Sequence, residues 1–337
     1  MADIAQVLGI STVAVSKALA GRKGVSEELR GRVRRMAEEM GYQPPAVRRK
    51  SQQGEGYNIG VLIPERYLDN YNESFYWKLY QQVTARAMQK GCFTLLEMLS
   101  DQDALGGKPP KLISENKVDA LIIIGKPSHG YARKIKAEWH RPVVFLDFYD
   151  SYVSADSVSS DGFYGMYMMT NYLIDRGHRD IGYVGTLLAT DSITDRYLGY
   201  VKALMERGLP VNSEWLVPDR DTASGNTIPM RFSEKMPTAY VCNCDFMASV
   251  LIGQLKERGV RVPEDISVVG FDDYLFPGPC DIGITTYAVD IHEMAHCAIR
   301  VVQKKLSGEP YKTGMQITQG YLVERESVRT LKPMKEQ

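Results

Sequence analysis

The 337-residue sequence lacks a long hydrophobic run, because no apolar stretch approaches the roughly 18 residues that a membrane-spanning helix requires. Its first residues, MADIAQVLGIS, place acidic and polar side chains where a secretory signal needs an apolar core. These features exclude an integral membrane protein and argue against an exported one. We therefore expect a cytoplasmic protein with no membrane partner.

Cysteine is also scarce. The sequence contains five cysteines, an odd number scattered along the chain: Cys92, Cys242, Cys244, Cys280 and Cys297. This usage is typical of reduced thiols and excludes a disulfide-stabilised scaffold. Cys242 and Cys244 form a C-x-C on a predicted strand, but no second Cys or His pair lies nearby in the sequence. We therefore predict no metal site.

The chain has no net charge, but its charges are unevenly distributed. All 41 basic residues are balanced by 41 acidic ones, whereas residues 1–50 alone contain ten Lys or Arg against five Asp or Glu. The first fifty residues thus carry +5 and the remainder carries −5. A basic N-terminal segment on an acidic body favours a nucleic-acid contact, and the alternative is a solvated helical face.

Residues 1–43 are predicted to form a small all-helical head. Asp3, Ser11 and Ser26 stand where the N-caps of three successive helices are expected, and Gly9 separates the first two helices. The third helix has an apolar stripe at helical spacing, formed by Leu29, Val33, Met36 and Met40. A helix, a glycine-containing turn and a second helix within twenty residues indicate a helix-turn-helix.

The second helix of this pattern is expected to enter the major groove of double-stranded DNA. Val15 and Leu19 must face the interior, which leaves an outward face of residues that we predict to contact DNA: Ser11, Thr12, Val13, Ser16 and Lys17. Lys17 suits a guanine or a phosphate, and Val13 suits a thymine methyl group. The alternative interpretation is a small helical domain with no role in nucleic-acid binding.

Behind the head, residues 44–56 (PPAVRRKSQQGEG) have the composition of a linker, and residues 57–330 alternate strand and helix patterns. Strands are predicted at 58–64, 93–98, 120–125, 143–147, 181–185, 239–243 and 267–271, and helices at 76–90, 164–176, 194–207 and 246–258. This alternation predicts parallel sheets, and the length predicts two lobes with a ligand in the cleft between them. Residues 331–337 are a tail.

Several stretches together resemble the LacI/GalR family of bacterial transcriptional regulators over nearly the whole chain. In the head they are DIAQVLGISTVAVSKALAG and VSEELRGRVRRMAEEMGYQP, and in the body VSSDGFYG, LIDRGHRDIGYVG, SITDRYLGY and VPEDISVVGFDD. The resemblance implies a repressor that binds operator DNA as a homodimer. It also implies a sugar-like effector between the lobes, which changes DNA affinity through the linker, and no cofactor.

The fold class implied is an all-α helix-turn-helix head plus an α/β, two-lobed, periplasmic-binding-protein-like body with two parallel sheets. Lobe one is expected to comprise about 57–159 and 290–317, and lobe two about 160–288 and 318–330. The C-terminal stretch contains no leucine heptad, so a dimer is expected rather than a coiled-coil tetramer.

The resemblance also assigns five effector-binding positions. Asp161, Arg196 and Asp272 match positions that the family uses to hold its ligand, and Phe75 matches an aromatic or apolar wall. Cys244 stands where the family often has a ligand-contacting Asn. Carboxylates accept hydrogen bonds from a polyol, and the Arg guanidinium donates to oxygen atoms. The alternatives are structural salt bridges for the charged residues and a core position for Phe75.

The linker departs from the pattern of the family. Pro45 replaces Asn, Arg48 replaces Ala, and Ser51 replaces the Leu that wedges into the minor groove, whereas Arg49 keeps its basic character. Without that Leu, we predict that Arg48 and Arg49 contact phosphates or a narrow minor groove instead.

One motif points to another class of protein. HEMAH, residues 292–296, matches the H-E-x-x-H signature of zinc peptidases. A third ligand has no supporting motif, and Glu324 is the distant candidate. A helix starting after Asp290, with Ile291, Ala295, Ala298 and Val302 buried, explains the stretch without catalysis. We therefore prefer a DNA-binding regulator to a zinc hydrolase. We also prefer it to a sugar-binding transport component, because such a protein has the same two-lobed body but no basic head.

Overall fold

The structure, a computed structural model, describes residues 2–19, 24–40, 56–68, 75–128, 130–222, 225–274 and 280–331. Its N-terminal head contains three helices: α1 (Ala2–Leu8), α2 (Thr12–Leu19) and α3 (Glu27–Glu39). Two of the predicted caps are confirmed, because the Ser11 and Ser26 hydroxyls accept from the amides of Ala14 and Leu29 at 3.1 and 3.2 Å. The third is wrong, because α1 already begins at Ala2 and places Asp3 inside its first turn.

The head has its own small hydrophobic core. Its fully or nearly fully buried side chains are Ile4, Ala5, Val15, Ala18, Val33 and Ala37, to which all three helices contribute. Leu19, Leu29 and Met36 pack against this core as partly buried residues. Met40 was predicted to belong to the buried stripe and does not, because α3 ends at Glu39 and the Met40 side chain is exposed.

The body contains two six-stranded sheets. The first has the order β11-β5-β4-β3-β1-β2 and the second the order β12-β10-β9-β8-β6-β7. The strands are β1 (Asn58–Pro64), β2 (Phe93–Leu99), β3 (Ala120–Ile124), β4 (Val143–Leu146), β5 (Asp156–Ser160), β6 (Ile181–Val184), β7 (Leu216–Val217), β8 (Ala239–Cys242), β9 (Ser267–Asp272), β10 (Thr285–Ala288), β11 (Met315–Thr318) and β12 (Tyr321–Val323). All neighbours pair in parallel except β10 and β12, which are antiparallel.

Helices cover these sheets, as expected for parallel strands buried on both faces. They are α4 (Phe75–Gln89), α5 (Asp101–Gly106), α6 (Lys111–Ser114), α7 (Tyr131–Glu138), α8 (Gly162–Asp175), α9 (Asp191–Glu206), α10 (Asp245–Glu257) and α11 (Ile291–Ser307). The buried strand β1 is correspondingly a continuous apolar run, NIGVLIP. Within the described ranges, no helix combines the length and the apolar character needed to cross a membrane.

Each sheet and its helices form one lobe. Lobe one is the first sheet with α4 to α7 and α11, and lobe two is the second sheet with α8 to α10. The chain passes between the lobes three times, through short connections at residue 161, residues 289–290 and residues 319–320. Because every crossing is short, the two lobes are held side by side along one boundary.

Helices α8 and α9 pack closely in lobe two, and this contact fixes the position of Arg196 on α9. Gly199 of α9 allows the close approach, because a Cβ there would collide with the carbonyl oxygen of Phe163 on α8. The glycine of the S-x-x-x-R-x-x-G stretch therefore has a packing role, and Arg196 lies one turn before it.

Candidate functional site

Helix α2 presents an exposed face of mixed polar and apolar character. Ser11, Thr12, Val13, Ser16 and Lys17 are all exposed, and Val13 is 61% exposed although it is apolar. Val15 and Ala18 on the opposite face are completely buried, so α2 cannot rotate without breaking the core of the head. The face is therefore fixed in orientation and free to contact a large partner.

The linker residues predicted to bind DNA, Arg48 and Arg49, lie outside the described residues, together with Pro45 and Ser51. Their roles stay predictions from the sequence.

A cleft lies between the lobes, where the carboxyl ends of strands from both sheets meet. Lys126 and Asp147 follow β3 and β4 in lobe one, and Asn243 and Asp272 lie at the ends of β8 and β9 in lobe two. In open parallel sheets, this edge is where ligands bind, because loops there can place side chains without disturbing the sheet. The cleft is therefore the candidate ligand site.

Arg196 is the central cation of the cleft, and only 6% of its surface is exposed. Its Nη1 donates to the carbonyl oxygen of Asn243 at 2.6 Å, and its Nη2 donates to Oδ1 of Asp272 at 3.1 Å. The guanidinium lies 3.9 Å from the ring centre of Phe271. Among the described residues, the buried Nε has no hydrogen-bond partner. This donor can serve a ligand oxygen.

Asp272 has two energetically unfavourable features, a carboxyl pKa raised by burial and a positive backbone φ angle. Burial raises the pKa of its carboxyl to about 7, although Arg196 acts in the opposite direction. Its backbone φ angle is +100°, and Asp147 also has a positive φ, of +64°. Such conformations cost a non-glycine residue about 1–3 kcal/mol and persist where the surroundings enforce them, often at functional sites.

Aromatic side chains form the lobe-one wall of the cleft. The Tyr76 hydroxyl donates to Oδ2 of Asp147 at 2.9 Å, and the rings of Tyr67 and Tyr76 lie 4.5 Å apart. Burial raises the pKa of Asp147, and Arg196 and the Tyr76 hydroxyl partly offset this effect. The wall thus combines ring faces with a desolvated carboxylate.

Three contacts join the lobes across the cleft. Lys126 Nζ lies 2.6 Å from Oδ2 of Asp191, and the Tyr149 hydroxyl donates to the Asp195 carboxylate at 3.2 Å. The third contact places Lys78 Nζ 4.5 Å from the ring centre of Tyr274. We refer to these three pairs as the interlobe contacts.

The cavity that remains between the lobes is about 30 Å³ in volume. It is lined by Tyr67, Tyr76, Lys126, Asp147, Phe148, Tyr149, Ser159, Ser160, Gly162, Thr190, Asp191, Ser192 and Asp195. This volume suits one or two water molecules, whereas typical small-molecule pockets measure roughly 300–1,000 Å³. The described conformation is therefore closed, and a sugar-sized ligand requires the lobes to separate.

Of the five positions assigned to effector binding, the structure brings together Arg196, Asp272 and Cys244. Burial raises the pKa of Cys244 to about 12, and Asp272 contributes to the increase. Asp161 caps α8 by accepting from the amide of Tyr164 at 3.0 Å, and it borders the cleft only through Gly162. Phe75 is partly buried and packs edge-on against Tyr76 at 5.4 Å, behind the cleft wall.

Several cleft residues were not predicted from the sequence: Tyr67, Tyr76, Lys126, Asp147, Tyr149, Asp191 and Asp195. Asp147 could have been found, because it directly follows a predicted strand at the edge where ligands bind. Asp195 precedes Arg196 within SITDRYLGY, but nothing in the spacing alone indicates that both side chains reach the cleft.

The HEMAH stretch lies in the first two turns of α11, which starts after Asp290 as predicted, and the Asp290 carboxylate accepts from the amide of Glu293 as the N-cap. The Glu293 carboxylate is hydrogen-bonded within its own helix, because His296 Nδ1 and Cys297 Sγ lie 3.2 and 3.1 Å from its two oxygens. Glu324 pairs with Arg176 in lobe two. In the part of the chain that the structure describes, no three His, Cys, Asp or Glu side chains are grouped to hold a metal ion.

The predicted buried stripe of α11 is confirmed at Ala295, Ala298 and Val302. Ile291 is only partly buried, because it begins the helix next to the lobe crossing, so its prediction as a buried residue is wrong.

Two family models each match part of the chain. Residues 1–45 match the model of bacterial regulatory proteins of the lacI family. Residues 170–328 match the model of the periplasmic binding protein-like domain.

Similarity to known proteins extends over nearly the whole chain. The ribose operon repressor of Haemophilus influenzae is 27% identical over 98% of this chain and 99% of the relative. The lac repressor dimer bound to operator and the anti-inducer ONPF has a TM-score of 0.65 at 22% identity, covering 97% of this chain and 98% of that one. The regulator CelR in complex with cellobiose has a TM-score of 0.67 at 19% identity, covering 96% and 98%. The two structures share the fold.

Proposed function

Because the chain belongs to the LacI family of bacterial regulatory proteins, we propose that it is a transcriptional repressor whose operator affinity is set by a small polyhydroxylated effector. The effector binds in the cleft between the lobes. The observation that carries this proposal is the buried Arg196 beside Asp272, whose Nε has no hydrogen-bond partner among the residues that the structure describes. The same chain presents the exposed face of α2.

The contacts with DNA follow from the chemistry of α2. Lys17 donates to a guanine or a phosphate, Val13 contacts a thymine methyl group, and Thr12 reads a base or a phosphate. Ser11 and Ser16 bind phosphates, which position the head without reading sequence. Arg48 and Arg49 of the linker add phosphate contacts that make binding depend on salt concentration.

A homodimer places one head on each half of the operator. The lac repressor, which shares the fold, is a dimer on its operator, and this supports the same assembly here. We assign the head to residues 1–43 and the linker to residues 44–56. The effector-binding body comprises residues 57–330. Because the partner is the chromosome, the protein acts in the cytoplasm.

The repressor acts without catalysis. Glu293 is held by His296 and Cys297, so the HEMAH stretch does not favour a zinc hydrolase. The exposed α2 face distinguishes the chain from a transport component with a similar body.

Selection of binding sites from random double-stranded DNA tests the proposal directly. The full-length protein at physiological salt is expected to select a near-palindromic consensus, because two identical heads read two half-sites. A Lys17→Ala variant is expected to relax or weaken selection, and Lys202→Ala on the distant helix α9 serves as its control. If no sequence is enriched and the protein binds all DNA weakly, the proposed function is wrong.

A further inference from the structure

We infer that the effector carries a basic amine on a polyhydroxylated frame, as an amino sugar does, because the cleft presents more carboxylates than cations. This inference rests on the proposed function, since it concerns the ligand of the same cleft. It narrows the effector from any small polyol to a positively charged one.

The lining of the cavity has an excess of negative charge. Three carboxylates line it, from Asp147, Asp191 and Asp195, against a single cation, Lys126. Lys126 already forms an ion pair with Asp191, with 2.6 Å between Nζ and Oδ2. Asp147 and Asp195 therefore lack a balancing charge among the residues that line the cavity.

The nearby arginines offset that charge only in part, because each is paired with another carboxylate and Arg196 acts on Asp147 and Asp195 from beyond 4.0 Å. Arg196 is paired with Asp272 at 3.1 Å, and Arg220 is paired with Asp219 at 2.6 Å. Across the described ranges, neither Asp147 nor Asp195 has a Lys, Arg or His nitrogen within 4.0 Å. When Asp272 and Asp219 are ionised, each pair is close to neutral, so the excess negative charge of the lining persists.

Asp147 and Asp195 also retain capacity to accept hydrogen bonds. Each accepts from one tyrosine hydroxyl, Tyr76 at 2.9 Å and Tyr149 at 3.2 Å, whereas a carboxylate offers about four acceptor positions. Burial raises the pKa of both carboxyls, and the attraction of Arg196 offsets this effect only in part. An ammonium group supplies three donors and the missing charge.

The remainder of the lining is suited to the rest of such a ligand. Ring faces attract a cation, and four aromatic side chains line the cavity: Tyr67, Tyr76, Phe148 and Tyr149. Hydroxyl groups of Ser159, Ser160, Thr190 and Ser192 can bond to ligand hydroxyls. Arg196 is not part of this lining, but its buried Nε has no hydrogen-bond partner among the described residues, so it can donate to a ligand hydroxyl once the lobes separate. Sugar phosphates and sugar acids, in contrast, are repelled by the carboxylates.

Binding of matched sugars to the full-length protein tests this inference. The panel comprises glucosamine, galactosamine and mannosamine, each with its parent sugar and its N-acetyl derivative, together with glucose 6-phosphate and gluconate. Titration calorimetry is expected to show one amine binding at least about tenfold more tightly than both of its uncharged counterparts, equivalent to roughly 1.4 kcal/mol. The N-acetyl form keeps the nitrogen and loses the charge, so it isolates the contribution of charge.

Two variants assign the preference to the cleft. Asp147→Asn and Asp195→Asn each keep the shape of the side chain and remove its charge, and each is expected to bring the preference for the amine close to parity. If one variant does not fold, the other retains the test. Glu138→Gln on α7 removes an exposed carboxylate outside the cleft and should leave the preference unchanged.

Three results would overturn the inference: no amine in the panel binds, an uncharged or anionic member binds as tightly as the matching amine, or the preference survives in both Asn variants. The titrations contain no DNA, so these outcomes leave the selection of operator sequences untouched. A failure of that selection, in turn, would contradict the proposed function while leaving the amine preference measurable.

Discussion

At the scale of single residues, two cleft carboxylates combine an unfavourable backbone conformation with burial of a charge. Asp272 combines a positive φ with a pKa raised by burial, and Asp147 shows both features as well. Each feature costs free energy, and the ion pair with Arg196 offsets part of this cost at Asp272. These features support the proposal that the carboxylates serve a ligand.

Asp272→Asn should change how stability depends on pH. Burial raises the pKa of Asp272 to about 7 in the folded wild-type protein, whereas its usual value, which applies to the unfolded chain, is 3.8. The folded state thus binds more protons between these values, so the Asp272 contribution to the free energy of unfolding falls as pH rises. Relative to the wild type, the variant should gain on the order of 3 kcal/mol between pH 4 and pH 7.5.

Urea unfolding of both proteins across this pH range provides the measurement. Asp265→Asn is the control, because salt bridging lowers the pKa of Asp265 to about 2 and its contribution is already constant above pH 4.5. A difference between wild type and Asp272→Asn that stays constant with pH would contradict the prediction.

Arg196 and Asp272 could be placed in the cleft from the sequence, because both lie in stretches that resemble a known family. Asp147, Asp191 and Asp195 could not, because their positions depend on how two separate lobes meet. The angle between the lobes is a tertiary property that no local pattern encodes.

At the scale of secondary structure elements, prediction succeeded where burial imposes a pattern. The strands at 58–64, 120–124 and 143–146 are apolar runs buried on both faces, and they were predicted to within one residue. In contrast, β5 (DSVSS) and β10 (TTYA) were missed, because their buried Ser and Thr side chains conceal the strand pattern. The short helices α5 to α7 were missed because four to eight residues contain too few turns for a periodic signal.

The interlobe contacts determine how easily α9 separates from lobe one. Lys126→Met removes the ion pair to Asp191 and should increase amide hydrogen exchange in residues 190–192, at the N-terminus of α9. Because both side chains are about one-third exposed, the free energy of unfolding should fall by less than about 1 kcal/mol.

Hydrogen exchange followed by mass spectrometry checks this expectation. Lys202→Met removes an ion pair to Glu206 on the solvent-facing side of the same helix, and it should leave exchange at residues 190–192 unchanged. Equal protection in Lys126→Met and wild type would show that the ion pair does not hold the cleft closed.

At the scale of the whole molecule, the lobe-one sheet ends at the edge strand β2, whose surface is both apolar and exposed. Phe93 and Met98 on β2 and Met88 on α4 are 64%, 42% and 63% exposed, respectively. An exposed apolar edge strand is an aggregation hazard unless another chain covers it. This surface therefore supports the proposed homodimer.

Sedimentation equilibrium should give a mass about twice the 37.9 kDa of one chain. Phe93→Glu places a charge on the β2 surface and should shift the equilibrium toward monomers by about tenfold or more in Kd, whereas Met205→Glu on exposed α9 should not. A wild-type protein that sediments as a monomer at micromolar concentration would exclude the dimer.

Because the chain crosses between the lobes three times, both lobes depend on C-terminal residues to fold. This sets the order in which the parts of the protein can fold during synthesis. Both sheets receive their last strand near the C-terminal end of the chain, β11 and β12 lying between Met315 and Val323. Neither lobe can be completed while the ribosome is still translating the middle of the message. The three-helix head, in contrast, contains its whole core within its first forty residues. A nascent chain therefore carries a folded head well before its body can hold an effector.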